Sequence, residues 1–229
     1  MPATCWSSVR AQVARITNLD NCGRPLAAAA PCGFVVTKGF VTINYSPQYE
    51  EGDPIRVTNA AGDICINSPA KPRLTGVNVE IQFCQVDPDL ASMIAGMETV
   101  LDSSGEAVGN RLSESSSDDN WALEAWSQIP GAACDSGSDK PYGYFLLPWV
   151  SNGRLGDFSL ANDAATFTYT GVTQPGAGWG AGPWDVDAGV GGTAGPLATP
   201  IGADDHLDMH LTTVAPPTPV CGCQPMPAA

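Results

Sequence analysis

The sequence predicts a mainly β protein, an antiparallel β-sandwich or barrel with one short amphipathic helix and extended terminal arms. Three observations carry this expectation. Apolar and polar residues alternate with period two in several short runs. Glycine and proline, 25 and 20 in 229 residues, punctuate those runs. Only 15% of residues are charged while 43% are hydrophobic, too little charge for a disordered chain. A chain of this size buries roughly 70% of its unfolded surface, so one β domain is expected over residues 1–214, with a separate tail over 215–229.

The elements follow in chain order. Residues 9–19 fit two periods: Val9, Val13 and Ile16 share a helical face, whereas Val9, Ala11 and Val13 alternate, and a strand is favoured. Residues 21–25 then read as a turn. Residues 34–37 and 40–45 flank Lys38-Gly39 and are expected to pair as a hairpin, with Val41, Ile43 and Tyr45 on its buried face. A second hairpin is expected from 55–58 and 64–67, reversed by the small polar linker 59–63. Val77, Val79, Ile81 and Phe83 alternate with Asn78, Glu80 and Gln82, the clearest strand pattern of the chain.

At Asp87 the period changes. Asp87 suits a helix N-cap and Pro88 the first helical position; Leu90, Met93, Ile94 and Met97 form one stripe, and Gly96 lies near the end. That stripe must be covered, so the helix is expected to pack as a lid on the sheet. Residues 113–120 read as a polar loop. The runs 121–126, 142–150, 155–160 and 165–170, spaced by Gly, Asn and Asp, read as an antiparallel meander. Residues 171–195 hold nine glycines together with Trp179 and Trp184, which fits an ordered loop pinned by its indoles. Residues 206–214 alternate again. Five prolines in the last 15 residues, Pro216, Pro217 and Pro219 among them, favour an extended arm that cannot pair as an internal strand and needs a neighbour.

Charge excludes several functions. With 24 acidic against 10 basic residues the formal charge is −14, and a surface with so few cations would repel a phosphate backbone. No apolar run approaches the ~20 residues of a membrane-spanning helix, so no membrane partner is expected. Arg10, Arg15 and Asp20 interrupt the stretch where an export signal would sit, so the chain is expected to mature inside the cell that makes it. For that reason its eight cysteines are expected to be mostly free, buried thiols.

The candidate chemical sites are weak. His206, Asp208 and His210 lie at i, i+2 and i+4 of a strand and could converge on a metal. Strand neighbours two apart are separated by about 6.5–7 Å, however, and Leu207, Met209 and Leu211 are what a core would take, so a solvated polar face is favoured. Cys221 and Cys223 could join Cys5 or Cys22 around zinc, but no second closely spaced pair supports this; an intermolecular or tail-to-body disulfide formed after release from the cell is a comparable alternative, and packing as small apolar groups is favoured. No serine is flanked as in a nucleophile elbow, and the glycine-rich segment lacks a phosphate-cradling pattern. Glu124 and Asp157 could form a glycosidase-like pair, but an acidic chain offers such pairs by chance. No enzyme activity, cofactor or metal is expected; binding or assembly ranks first.

Seven strings, in order along the chain, carry a resemblance: NCGRP (21–25), FCQVDPDLASMIAG (83–96), WALEAW (121–126), YGYFLLPW (142–149), LGDFSLAN (155–162), GWGAGPWDV (178–186) and DDHLDMHLTTVAPP (204–217). Together they resemble the major tail proteins of long-tailed bacteriophages of actinobacteria. The resemblance implies a structural virion protein, assembled in the host cytoplasm: a tail tube subunit whose six-membered rings stack into a hollow conduit for double-stranded DNA. Tape measure and terminator proteins would be its partners.

A conduit must not hold its cargo, and carboxylates repel phosphates over a Debye length of about 8 Å at physiological salt. Residues 87–120 hold eight acidic side chains against one basic, Arg111, half of the net charge. The lumen candidates are accordingly Asp87, Asp89, Glu98, Asp102, Glu106, Glu114, Asp118, Asp119, Asp204 and Asp205. Trp179, Trp184, Pro216, Pro217 and Pro219 are candidates for contacts between copies, with 1–25 and 215–229 as clasping arms and exposed strand edges closing the ring. The alternative is a carbohydrate-binding or adhesive β-sandwich that uses Trp179 and Trp184 as stacking platforms; a metal-dependent hydrolase at His206 and His210 comes third.

Overall fold

The computed structural model describes residues 10–114, 119–128, 142–159, 165–189 and 192–227. In chain order its strands are β1 (Arg10–Leu19), β2 (Phe34–Thr37), β3 (Phe40–Glu50), β4 (Ile55–Thr58), β5 (Ile64–Ser68) and β6 (Arg73–Phe83), followed by helix α1 (Pro88–Ala95). Then come β7 (Glu98–Leu101), β8 (Ala107–Arg111), β9 (Asn120–Gln128), β10 (Tyr142–Leu155), β11 (Phe167–Thr173), β12 (Asp187–Ala188), β13 (Ala194–Gly195), β14 (Asp208–Thr212) and β15 (Val220–Gln224). The fold is mainly β, antiparallel and sandwich-like, with one short helix, as the alternation predicts.

The principal sheet runs β15-β2-β1-β9-β10-β11-β6-β3, and β14 also pairs with β10; the order does not close into a barrel. Strand β10 explains how one ladder makes two layers. Residues 142–146 pair with both β9 and β14, whereas Val150 to Leu155 pair with β11. Between them the register with β9 shifts from Leu147 to Val150, around Pro148, which has no N–H to give to a ladder. Ile16, Val35, Leu123 and Leu147 from one side and Val77, Val79, Ile81, Phe83 and Tyr169 from the other join in one core.

A second core lies on the opposite face of β1, β9 and β10. There Leu19, Ala122, Trp126, Tyr144 and Leu146 are covered by Trp179, Val186, Leu197 and Ile201. Strand β9 is therefore buried on both faces, which is why WALEAW does not alternate. The glycine-rich segment is the cover, and Trp179 pins it as expected. Gly182, at φ +79°, lies so close to that indole that a Cβ would come within 2.6 Å of Nε1.

Helix α1 forms where the period changes. The Asp87 carboxylate accepts the Asp89 N–H at 2.9 Å, Pro88 opens the helix, and Gly96 at φ 58° ends it by donating to the Ser92 carbonyl. Leu90, Ala91, Met93 and Ile94 enter the first core. Among the described residues no helix is long and apolar enough to cross a membrane.

Several expectations are corrected. Residues 34–37 and 40–45 are not a hairpin: β2 pairs with β1 and β15, and β3 pairs with β6 at the other end of the sheet. Lys38-Gly39 crosses between layers because the Gly39 carbonyl accepts the Cys84 N–H at 2.9 Å, and a Cβ at Gly39 would lie 2.5 Å from the Gln85 carbonyl oxygen. Val41 is exposed in consequence. The run from 155 ends at once, since Gly156 turns its N–H to the Thr168 carbonyl. Strands β7 and β8 form an unanticipated hairpin ahead of the polar loop, its turn held by the Asp102 carboxylate, which accepts from Ser104 and Glu106. Residues 10–19 are a central strand instead of part of an N-terminal arm; 1–9 lie outside the described residues.

The thiol expectation holds for pairing at most of the described cysteines and fails for burial. Cys32 and Cys223 form a disulfide across 191 residues of sequence, and Cys22, Cys65, Cys84 and Cys221 are free but exposed. Cys5 and Cys134 lie outside the described residues. The pairing depends on β15 folding back beside β2, a contact that no local pattern announces.

Candidate assembly surface

Arg15 on β1 and Glu124 on β9 are direct cross-strand partners. Glu124 is 0% exposed, and the guanidinium meets its carboxylate through two hydrogen bonds of 2.6 Å. The Tyr144 hydroxyl donates to the same carboxylate at 2.7 Å. Burial, then the neighbouring Glu124 charge, holds that hydroxyl well above the ordinary phenol range. The guanidinium lies 4.1 Å from the ring centre of Trp184 and 5.0 Å from that of Trp126, and Trp184 Nε1 donates to Thr17 at 3.2 Å.

This network settles where several candidates sit. Glu124 is an enclosed ion-pair partner, and Asp157 is exposed elsewhere, so the two do not form a catalytic pair. Trp179 is buried and Trp184 is half-buried over Arg15, so neither indole face is an open platform for a sugar or a second copy. Their being inside follows from the glycine-rich cover, which must bring its own apolar groups because glycine supplies none.

The histidines do not converge. His206 precedes β14 and is buried, with Nδ1 2.8 Å from Thr173 Oγ1. Burial holds its imidazole below the usual range, against the opposing pull of Asp204 and Asp205. His210 instead pairs with Asp208 at 2.6 Å and lies against Tyr144, ring centres 4.8 Å apart. Among the described residues no three His, Cys, Asp or Glu side chains cluster as a metal site would require. The face assignment is reversed at Met209, which is 56% exposed while Asp208 and His210 turn partly inward. An Asp-x-His spacing on a strand reads equally as a local hydrogen-bonded pair, and that is what forms.

The acidic candidates divide into two sets. Asp87 and Asp89 are consumed within the chain, accepting the backbone N–H groups of Gly222 and Cys223, the latter at 3.0 Å. Asp119 is partly buried, and Asp118 lies outside the described residues. Exposed acids remain on the β7–β8 hairpin: Glu98, paired with Arg111 at 3.3 Å, Asp102 and Glu106, with Glu114 just beyond. Backbone and hydroxyl hydrogen bonds, Ser104 foremost, hold the Asp102 carboxyl below its ordinary value. Asp204 and Asp205 are exposed near the glycine-rich cover.

The features most in need of a partner were not singled out from sequence. Every residue of β4 and β5 is exposed, including Ile55, Val57, Ile64 and Ile66. Val57 and Ile66 are cross-strand partners, so one face of this hairpin is an open aliphatic stripe. The surrounding stretch 50–73 carries Arg56, Lys71 and Arg73 against Glu50, Glu51, Asp53 and Asp63, close to neutral in a strongly acidic chain, and Glu50 and Arg73 are cross-strand partners. The β7–β8 hairpin also leaves apolar side chains, Leu101 and Val108, exposed. Strand β3 leaves an open sheet edge, broken by Pro47.

The prolines of the tail, Pro216, Pro217 and Pro219, are half-buried and lead into β15, which pairs with β2 of the same chain. The tail thus finds a partner at home. No protein-family model matches the chain, and no curated protein matches it.

Proposed function

We propose that this chain is a self-assembling structural subunit, a tail tube protein whose six-membered rings stack into an acidic conduit for double-stranded DNA in a phage tail. The observation that carries the reading is the β4–β5 hairpin. A two-stranded hairpin alone is marginally stable in water, and this one holds an uncovered aliphatic stripe, Ile55, Val57, Ile64 and Ile66. A second copy offers further exposed apolar side chains at β7–β8, and the open β3 edge gives a backbone surface for lateral pairing. The resemblance of the ordered sequence strings supports the identity of the assembly, and the formal charge of −14 per copy suits a pipe that must release what passes through it. Tape measure and terminator proteins are the partners this reading carries with it, and the virion tail its location. With Trp179 and Trp184 turned inward, no observation favours the carbohydrate-binding alternative.

The test is negative-stain microscopy of the purified chain beside a variant with Ile64→Ser and Ile66→Ser. Rings or tubes from the parent chain, and at least tenfold fewer from the variant at equal concentration, are expected. Parent protein that stays monomeric at every concentration would refute the proposal.

A further inference from the structure

The C-terminal strand is fastened to its own chain at four kinds of contact. The Cys32–Cys223 disulfide joins it covalently to the segment preceding β2. Backbone bonds run between the same segments: Gly33 N–H to the Gln224 carbonyl at 2.8 Å, and Met226 N–H to the Ala30 carbonyl at 3.0 Å. Finally Met226 is 4% exposed, and its side chain fills the space where a Cβ on Gly33 would stand. The carboxylates at the start of α1 add to this by accepting from Gly222 and Cys223.

Without the disulfide the hold is noncovalent throughout: a short strand whose ladder with β2 is irregular between Val220 and Gln224, the two α1 carboxylates and the buried Met226. The connection from β14, residues 213–219, holds Pro216, Pro217 and Pro219 and is biased toward an extended form. A short, stiff hinge before a terminal strand is the arrangement that favours exchange of that strand between identical chains, because every contact it makes at home exists unchanged on the neighbour.

We propose that the disulfide is a latch: closed, it keeps residues 220–226 on the chain's own β2 edge, and opened by a thiol reductant it lets this segment exchange onto the β2 edge of a second copy. The opening is a two-electron step. The Cys32 Sγ–Cys223 Sγ bond breaks, each sulfur takes up a proton to become a thiol, and two reductant thiols leave as their disulfide. At low concentration the segment returns to its own chain, since a short tether gives an effective concentration of order millimolar. Where copies are packed side by side that advantage disappears. The inference deepens the assembly reading, but its test needs no tubes.

The experiment uses the unaltered chain in two isotopic forms, light and heavy, mixed at equal amounts. One portion is reduced under native conditions with an excess of a dithiol and reoxidised; the other is never reduced. Both are digested, and the peptide pair linked through Cys32 and Cys223 is weighed. Mixed light-heavy pairs that are absent without reductant, and that rise with protein concentration toward about one half, are expected. Linked pairs of a single label at all concentrations, or a Cys32–Cys223 bond that resists the dithiol, would overturn the latch. Circular dichroism of the reduced sample shows whether the fold persists during exchange; a reduced chain that unfolds would overturn it as well. Mixed pairs from a chain that never forms rings would leave the latch standing and the tube reading refuted.

Discussion

Glu124→Gln probes the interior most directly, because it deletes a charge and little else. The carboxylate has no contact with solvent, so the Arg15 guanidinium left behind is a buried cation facing a neutral amide. Removing one member of a buried ion pair costs about 3–5 kcal/mol. The rings of Trp184 and Trp126 lie over the guanidinium in parent and variant alike, so their attraction cancels in the comparison and a loss of at least about 3 kcal/mol is expected. With a urea dependence of about 2 kcal/mol per molar, the unfolding midpoint falls by about 1.5 M. Tryptophan fluorescence is the natural readout, since two indoles touch the affected cation. A double variant, Arg15→Met with Glu124→Leu, made in a Tyr144→Phe background so that no buried hydroxyl loses its acceptor, removes both charges and is expected to lie within about 1 kcal/mol of that background. A midpoint shift below about 0.5 M for Glu124→Gln, or a double variant as weak as the single, would refute the account of the pair as a matched buried charge.

Two further outcomes are expected. Leu90→Ala empties a fully buried position on α1 and should cost about 2–5 kcal/mol in urea denaturation; a loss under 1 kcal/mol would mean that the helix is not part of the main core. The imidazole of His206 is held below its ordinary range in the folded chain, so the unfolded chain binds its proton first as pH falls. Its contribution to stability is therefore complete above the ordinary histidine value near 6.5 and declines below it. Urea midpoints measured between pH 7.5 and pH 5.5 should fall more steeply for the parent than for His206→Gln, and parallel curves would contradict the assignment.

Legibility in the sequence followed locality. The strand at Val77–Phe83 and the capped helix at Asp87–Gly96 were readable because the side chains that define them lie within a few residues of one another. The 55–58 and 64–67 hairpin was readable for the same reason, but its exposure was not, because alternation reports a face without saying whether anything covers it. Lys38-Gly39 misled because turn chemistry marks a change of direction and does not distinguish a reversal from a crossing between layers; the deciding contact is with Cys84 and Gln85, far along the chain. Asp87 and Asp89 looked like surface charge and instead bind the backbone of a strand more than a hundred residues away. Glu124 offered one signal in retrospect: a lone acid inside WALEAW, flanked on both sides by residues too apolar for a solvated strand, requires a buried cation.

Strand β10 also decides how the molecule bears force. One continuous backbone serves both layers, so a pull that would part them works against a covalent link at β10 as well as against the side-chain packing of the first core. Mechanical failure should begin at β3, tied along one margin only, whereas β15 at the other end of the ladder is riveted by its disulfide and the α1 carboxylates.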